Sequence, residues 1–151
     1  MKKGFEQQFS ALQSDMIDIC LENVEDRAEA IYIYGYYNKG RTFCNYFYKI
    51  HGKLVKKHQL NDAVLAGERQ YDVSVGRQRM VLKILTEDLL KIQKTCEAYG
   101  HPMPEELKLI CTIHTDGPKK YRMKAEYAYE KEKDGKTGPG DWAEEWFSSL
   151  F

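Results

Sequence analysis

The segment "AIYIYGYYNKGRTFCNYFYKIHGKLVKK", residues 30–57, constrains the fold more than any other part of the chain. Its side chains alternate over two long runs, and each run ends at a short Gly-containing connection. Ile31 and Ile33 point one way, while Tyr32, Tyr34 and Tyr36 point the other, the period-two pattern of a β-strand. "NKG" at 38–40 and "HG" at 51–52 supply residues that accept positive φ, the requirement of a tight hairpin. The reading is a three-stranded antiparallel meander with strands at 30–37, 41–50 and 53–60. In the second strand Cys44, Tyr46, Tyr48 and Ile50 face inward, and Asn45, Phe47 and Lys49 share the more exposed side.

Helical periodicity flanks this meander. Phe5, Phe9, Leu12, Met16 and Ile19 recur at steps of four and three, predicting an amphipathic helix over 3–23. After the polar connector "NDAVLAGERQ", a second helix begins at about Asp72 or Ser74. Its stripe is Met80, Val81, Ile84, Leu85, Leu89, Ile92, Cys96 and Tyr99. Gly100 and Pro102 stop it, because Gly accepts the left-handed cap and Pro cannot continue a helix. Leu107, Leu109, Cys111 and Ile113 mark a fourth strand, and "TDGPKK" turns the chain into a fifth from Tyr121 to Tyr129. The loop "KEKDGKTGPGD" leads to a terminal helix starting at Asp141, with Asp141 and Glu144 at capping-box spacing and Trp142, Trp146 and Leu150 on one face. The order is α-β-β-β-α-β-β-α. This is an α+β chain with a single antiparallel sheet and helices packed mainly on one face. One domain is expected over residues 1–151.

A sheet covered on one side shows its other side to solvent. Here that side would carry Tyr32, Tyr34, Tyr36, Asn45, Phe47 and Lys49, joined from the second hairpin by Lys108, Ile110, Thr112, Arg122 and Lys124. Tyrosine gives such a face area, stiffness and a polar tip. The rings serve equally well as cross-strand pairs that stabilise the sheet.

Charge is neutral overall but unevenly spread. Residues 31–60 hold six basic and no acidic groups, whereas 1–30 and 126–151 each hold three basic and seven acidic ones. A basic middle between acidic ends can mark a partner surface. "KGRTFCNY" at 39–46 partly matches the RNA-recognition signature through Lys39, Gly40, Phe43 and Tyr46. The element order differs from that fold, and a neutral chain lacks the basic excess that phosphate binding rests on. Both facts speak against a nucleic-acid partner.

Chemistry-bearing patterns do not converge. His51, His58, His101 and His114 have no metal-ligand spacing with each other or with the cysteines. No nucleophile elbow or phosphate-cradling loop occurs, and the adjacent pairs Glu87–Asp88 and Glu144–Glu145 diverge on a helix. No catalytic residue, cofactor or metal is therefore assigned. The four scattered cysteines suit free thiols in a reducing cytoplasm. No apolar run approaches the roughly 18 residues of a membrane span, and the N-terminal stretch is too polar for a signal peptide.

Taken in order, "AIYIYGYY", "YFYKIHGKLVKKHQLND", "YDVSVGRQRMVLKILTEDLLKI", "MPEELKLICTI", "KAEYAYE" and "DWAEEWF" resemble the YezG-like immunity (antitoxin) family of bacteria, formerly a domain of unknown function. The resemblance runs along nearly the whole chain. It implies a small cytoplasmic protein, not an enzyme, that neutralises a cognate secreted toxin domain, often a nuclease, by stoichiometric occlusion. Two contact surfaces then compete. One is the aromatic sheet face of Tyr32, Tyr34, Tyr36, Asn45, Phe47 and Lys49. The other is the acidic segment of Glu130, Glu132, Asp134, Asp141, Glu144 and Glu145, which would imitate phosphate toward a basic nuclease cleft. The alternatives are a generic protein-interaction module and a nucleic-acid binder. Neither the toxin's identity nor the oligomeric state follows from the sequence.

Overall fold

The computed structural model describes residues 3–114 and 121–151. The element order is α1 (Lys3–Asn23), β1 (Ala30–Asn38), β2 (Arg41–Ile50), β3 (Lys53–Lys56), a 3-10 turn (Leu60–Ala63), α2 (Val75–Ala98), β4 (Glu106–Ile113), β5 (Tyr121–Ala128) and α3 (Pro139–Ser149). The expected turn at 115–120 lies outside the described residues.

One five-stranded antiparallel sheet runs in the order β3-β2-β1-β4-β5. The two N-terminal hairpins turn as the glycines suggested. Lys39 and Gly40 have φ of 50° and 85°, and His51 and Gly52 have 50° and 76°. Positive φ at both central residues gives the turn twist that matches the flanking strands. β1 is the central strand, and both of its faces are apolar. Ile31 and Ile33 lie opposite Tyr48 and Tyr46 of β2 and Cys111 and Leu109 of β4. This side packs under α1 and α2, where Phe9, Met16, Ile17, Cys20, Val81, Leu85, Leu89 and Ile92 complete the main core.

Local chemistry sets the helix ends. Ser74 caps α2, its Oγ accepting the Arg77 N–H at 3.2 Å. At the other end Gly100 takes φ 65° and His101 N–H returns to the Cys96 carbonyl at 2.8 Å, closing the helix in the left-handed manner.

Several boundaries differ from the sequence reading. β3 ends at Lys56 rather than at Leu60. The Gln59 amide oxygen accepts the Lys56 N–H, and the Gln59 N–H donates back to the Lys56 carbonyl. The chain therefore turns, and Leu60 is buried at the start of the 3-10 turn instead. Met80 lies outside the buried stripe of α2, whereas Asp88 lies inside it. α3 starts at Pro139, two residues before the expected point. Asp141 is thus its third residue, and its carboxylate reaches back to accept the Gly138 N–H at 2.9 Å.

The largest correction concerns the second face of the sheet. α1 and α2 share one face, but α3 lies on the other and builds a second core. Tyr34, Tyr36 and Phe47, expected in solvent, are buried beneath Trp142, Ala143, Trp146 and Phe147. The physical reason is complementary need. A face with several rings and a helix with an aromatic stripe each expose costly apolar area, and docking them removes both from water.

Candidate partner-binding surface

The α3-covered face is built around rings and two carboxylates. Trp146 meets Tyr32, Tyr34 and Phe47 with ring centroids 5.9, 6.3 and 6.2 Å apart. Trp142 sits 5.6 Å from Tyr36, and Phe147 lies 4.8 Å from Phe47. Lysines cover the outer faces of these rings: Lys131 over Trp142, Lys108 over Trp146 and Lys56 over Phe147. Such cation–π contacts hold a cation where it also shields an aromatic surface.

Glu105 and Glu106, at the start of β4, are both buried, a position that charged groups occupy only when paired. Glu106 accepts the Tyr34 hydroxyl at 2.5 Å and faces the ammonium groups of Lys131 at 3.4 Å and Lys108 at 3.9 Å. Glu105 accepts the Tyr36 hydroxyl at 3.0 Å, the Asn38 amide at 3.2 Å and the Lys131 backbone N–H at 2.8 Å, and pairs with Lys133 at 2.6 Å. Burial pushes the Glu105 carboxyl up, but the bonds from Lys133, Lys131 and Tyr36 outweigh it and hold the group below the usual carboxylate range. Burial and the Glu106 bond together push the Tyr34 hydroxyl well above its ordinary pKa, so it stays a donor.

These carboxylates organise the loop before α3. In "EKEK" at 130–133 the half-buried Lys131 and the more exposed Lys133 pair with Glu106 and Glu105, while Glu130 and Glu132 are exposed. Asp134 closes the next turn, accepting the N–H groups of Lys136 and Thr137 and the Thr137 hydroxyl. Those backbone bonds hold its pKa low. Thr137 in turn accepts the Trp142 indole N–H at 3.2 Å, joining loop to helix. Beside the loop lies an open groove of about 550 Å³, bounded by Tyr36, Asn38, Lys39, Arg41, Lys133 and Trp142.

The expected contact residues thus separate into two groups. Tyr34, Tyr36 and Phe47 are interior, and Tyr32 is half-buried, its ring nearly perpendicular to that of Trp146. Asn45 is half-buried and accepts the Lys57 ammonium at 2.9 Å, and Lys49 is half-buried. Of the acidic set, Glu130, Glu132 and Glu145 are exposed, Asp134 and Asp141 are exposed but occupied in the loop and cap, and Glu144 pairs with Lys56. Glu105 and Glu106 were not singled out in the sequence, because nothing in "MPEEL" separates a buried pair from a solvated one.

Among the described residues no three His, Cys, Asp or Glu side chains are gathered to hold a metal ion. Cys20, Cys44, Cys96 and Cys111 are free and buried. Burial pushes the Cys44 and Cys111 thiols up to about 12, which keeps them protonated and unreactive. No described helix is long and apolar enough to cross a membrane. No protein-family model matches the chain, and no curated protein matches it.

Proposed function

We propose that this chain is an immunity protein that binds a cognate toxin domain and blocks it by occlusion, through the acidic loop and the outer side of α3. The observation that carries the reading is the split orientation of residues 130–133. Lys131 and Lys133 pair with buried Glu106 and Glu105, and the Lys131 N–H is bonded to Glu105, so Glu132 between them and Glu130 before them are left facing outward. A fixed acidic strip loses less freedom on binding than a mobile one, and its charge suits a basic cleft such as that of a nuclease. Glu145 adds a further exposed carboxylate on α3.

The aromatic face contributes differently from the expected role. Its rings fix α3 in place, and α3 positions the acidic strip. Alanine at Tyr34 or Phe47 would therefore report on the second core rather than on direct contact.

Co-expression tests the proposal. The product of the neighbouring gene, produced alone, should arrest growth; together with this chain, growth should return and the two proteins should co-purify. A neighbour that is harmless, or whose harm this chain does not relieve, contradicts the proposal.

A further inference from the structure

We propose that β5 is an association edge, through which two copies of this chain pair antiparallel into a continuous ten-stranded sheet. β5 pairs only with β4 and forms one border of the sheet, and no described element covers its outer side. An uncovered edge of eight residues is a template for another strand.

The direction of its free backbone groups follows from the neighbouring ladder. Ile113 N–H bonds to the Glu29 carbonyl and Tyr37 N–H to the Glu105 carbonyl, so the odd-numbered residues of this stretch turn their backbone groups toward β1. Alternation then turns the even-numbered residues of β4 toward β5. Their partners are Arg122 opposite Thr112, Lys124 opposite Ile110 and Glu126 opposite Lys108. The N–H and C=O groups of Tyr121, Met123, Ala125 and Tyr127 therefore point to the open edge.

Side chains decide both the occupant and the register. A continuous sheet joined by a two-fold axis places odd residues opposite odd ones. With the axis at Met123, Arg122 would lie opposite Lys124 of the second copy, twice. With the axis at Lys124, that lysine would lie opposite itself. With the axis at Ala125, Lys124 lies opposite Glu126 of the second copy, twice, and Arg122 meets Ala128. On the other face this register sets Met123 against Tyr127 of the second copy and Tyr121 against Tyr129. Met123, Tyr127 and Tyr129 are 37%, 38% and 49% exposed, the side chains that such pairing would cover. Opposite charges and apolar pairs directly across strands are the stabilising combinations. The within-strand ion pair of Lys124 and Glu126 at 3.6 Å would become a four-charge cluster.

Sedimentation velocity on the full chain over a micromolar-to-millimolar series tests this. The expected result is a concentration-dependent dimer. Lys124→Glu places like charges opposite each other twice and should weaken dimerisation by about tenfold or more. Adding Glu126→Lys to that variant restores complementarity and should restore the dimer. Ala125→Pro removes only an outward N–H, so it should abolish the dimer while the monomer keeps its circular dichroism spectrum. A monomer at every concentration overturns the proposal. So does a dimer indifferent to Ala125→Pro, a charge swap that fails to restore association, or a β5 edge that pairs with the toxin instead of a second copy.

Discussion

Asp88 offers the sharpest energetic test of the packing. It is 2% exposed on α2, within the stripe of Val81, Leu85, Leu89 and Ile92. Its carboxyl shares a hydrogen bond with the carboxyl of Asp15 on α1, and its Oδ2 is buried without a hydrogen-bond partner. Burial, then the bond and the charge of Asp15, push its pKa from 3.8 to about 7; Lys91 opposes this and Glu87 adds to it. From β2 the facing titratable group is the Cys44 thiol, which is protonated throughout this range. The native state therefore holds a proton that the unfolded chain releases above about pH 4. Stability from this group is complete below that pH and falls by about 1.4 kcal/mol per pH unit until the folded pKa is passed near 7. The full span is on the order of 4 kcal/mol at most. Asp88→Asn keeps a donor toward Asp15 at every pH and removes the titration. Urea unfolding of both proteins from pH 5 to 8 should show the variant gaining on the wild type with rising pH, by about 2 to 4 kcal/mol at pH 8. Opposite contributions from low-pKa carboxylates such as Glu105 cancel in the comparison. Parallel pH profiles for the two proteins, or a variant less stable at pH 8, would refute the reasoning.

Two further substitutions probe the second core. Trp146→Ala removes the ring that touches Tyr32, Tyr34 and Phe47, and should cost about 3 to 5 kcal/mol. Hydrogen exchange should show α3 amides opening before those of α1 and α2; uniform exchange would mean that α3 is not a separable layer. Tyr34→Phe takes the shortest donor from Glu106 while keeping the ring, and should cost about 1.5 to 3 kcal/mol in denaturant unfolding. No loss there would mean that Lys108 and Lys131 suffice for the carboxylate.

How far the sequence spoke depended on the range of each interaction. The α1 helix, the Lys39–Gly40 and His51–Gly52 turns and the Gly100 stop are local signals, and each appears in the structure where it was read, although the α1 stripe is centred nearer Gln13 and Ile17 than Leu12 and Ile19. The placement of α3 is not local. Trp142 and Trp146 showed that one side of the helix would be buried, but their period does not say against what. The Tyr face was equally ambiguous, because a strand buried on both sides and an exposed aromatic platform carry the same alternation. Asp88 differs in sequence from a solvated aspartate only by its phase in the α2 stripe, and its partner lies on another helix. Likewise "EKEK" reads as a solvated charge run until Glu105 and Glu106, about 25 residues earlier, are placed beneath it.

The acidic strip is the centre of the functional account, and calorimetric titration of the neighbouring gene's product tests it most directly. The wild-type chain is compared with the Glu130→Lys/Glu132→Lys/Glu145→Lys variant at two salt concentrations, with folding checked by circular dichroism. The account predicts tight one-to-one binding that weakens with salt, and a loss of at least about a hundredfold in the folded variant. Equal affinity for the two chains would contradict it.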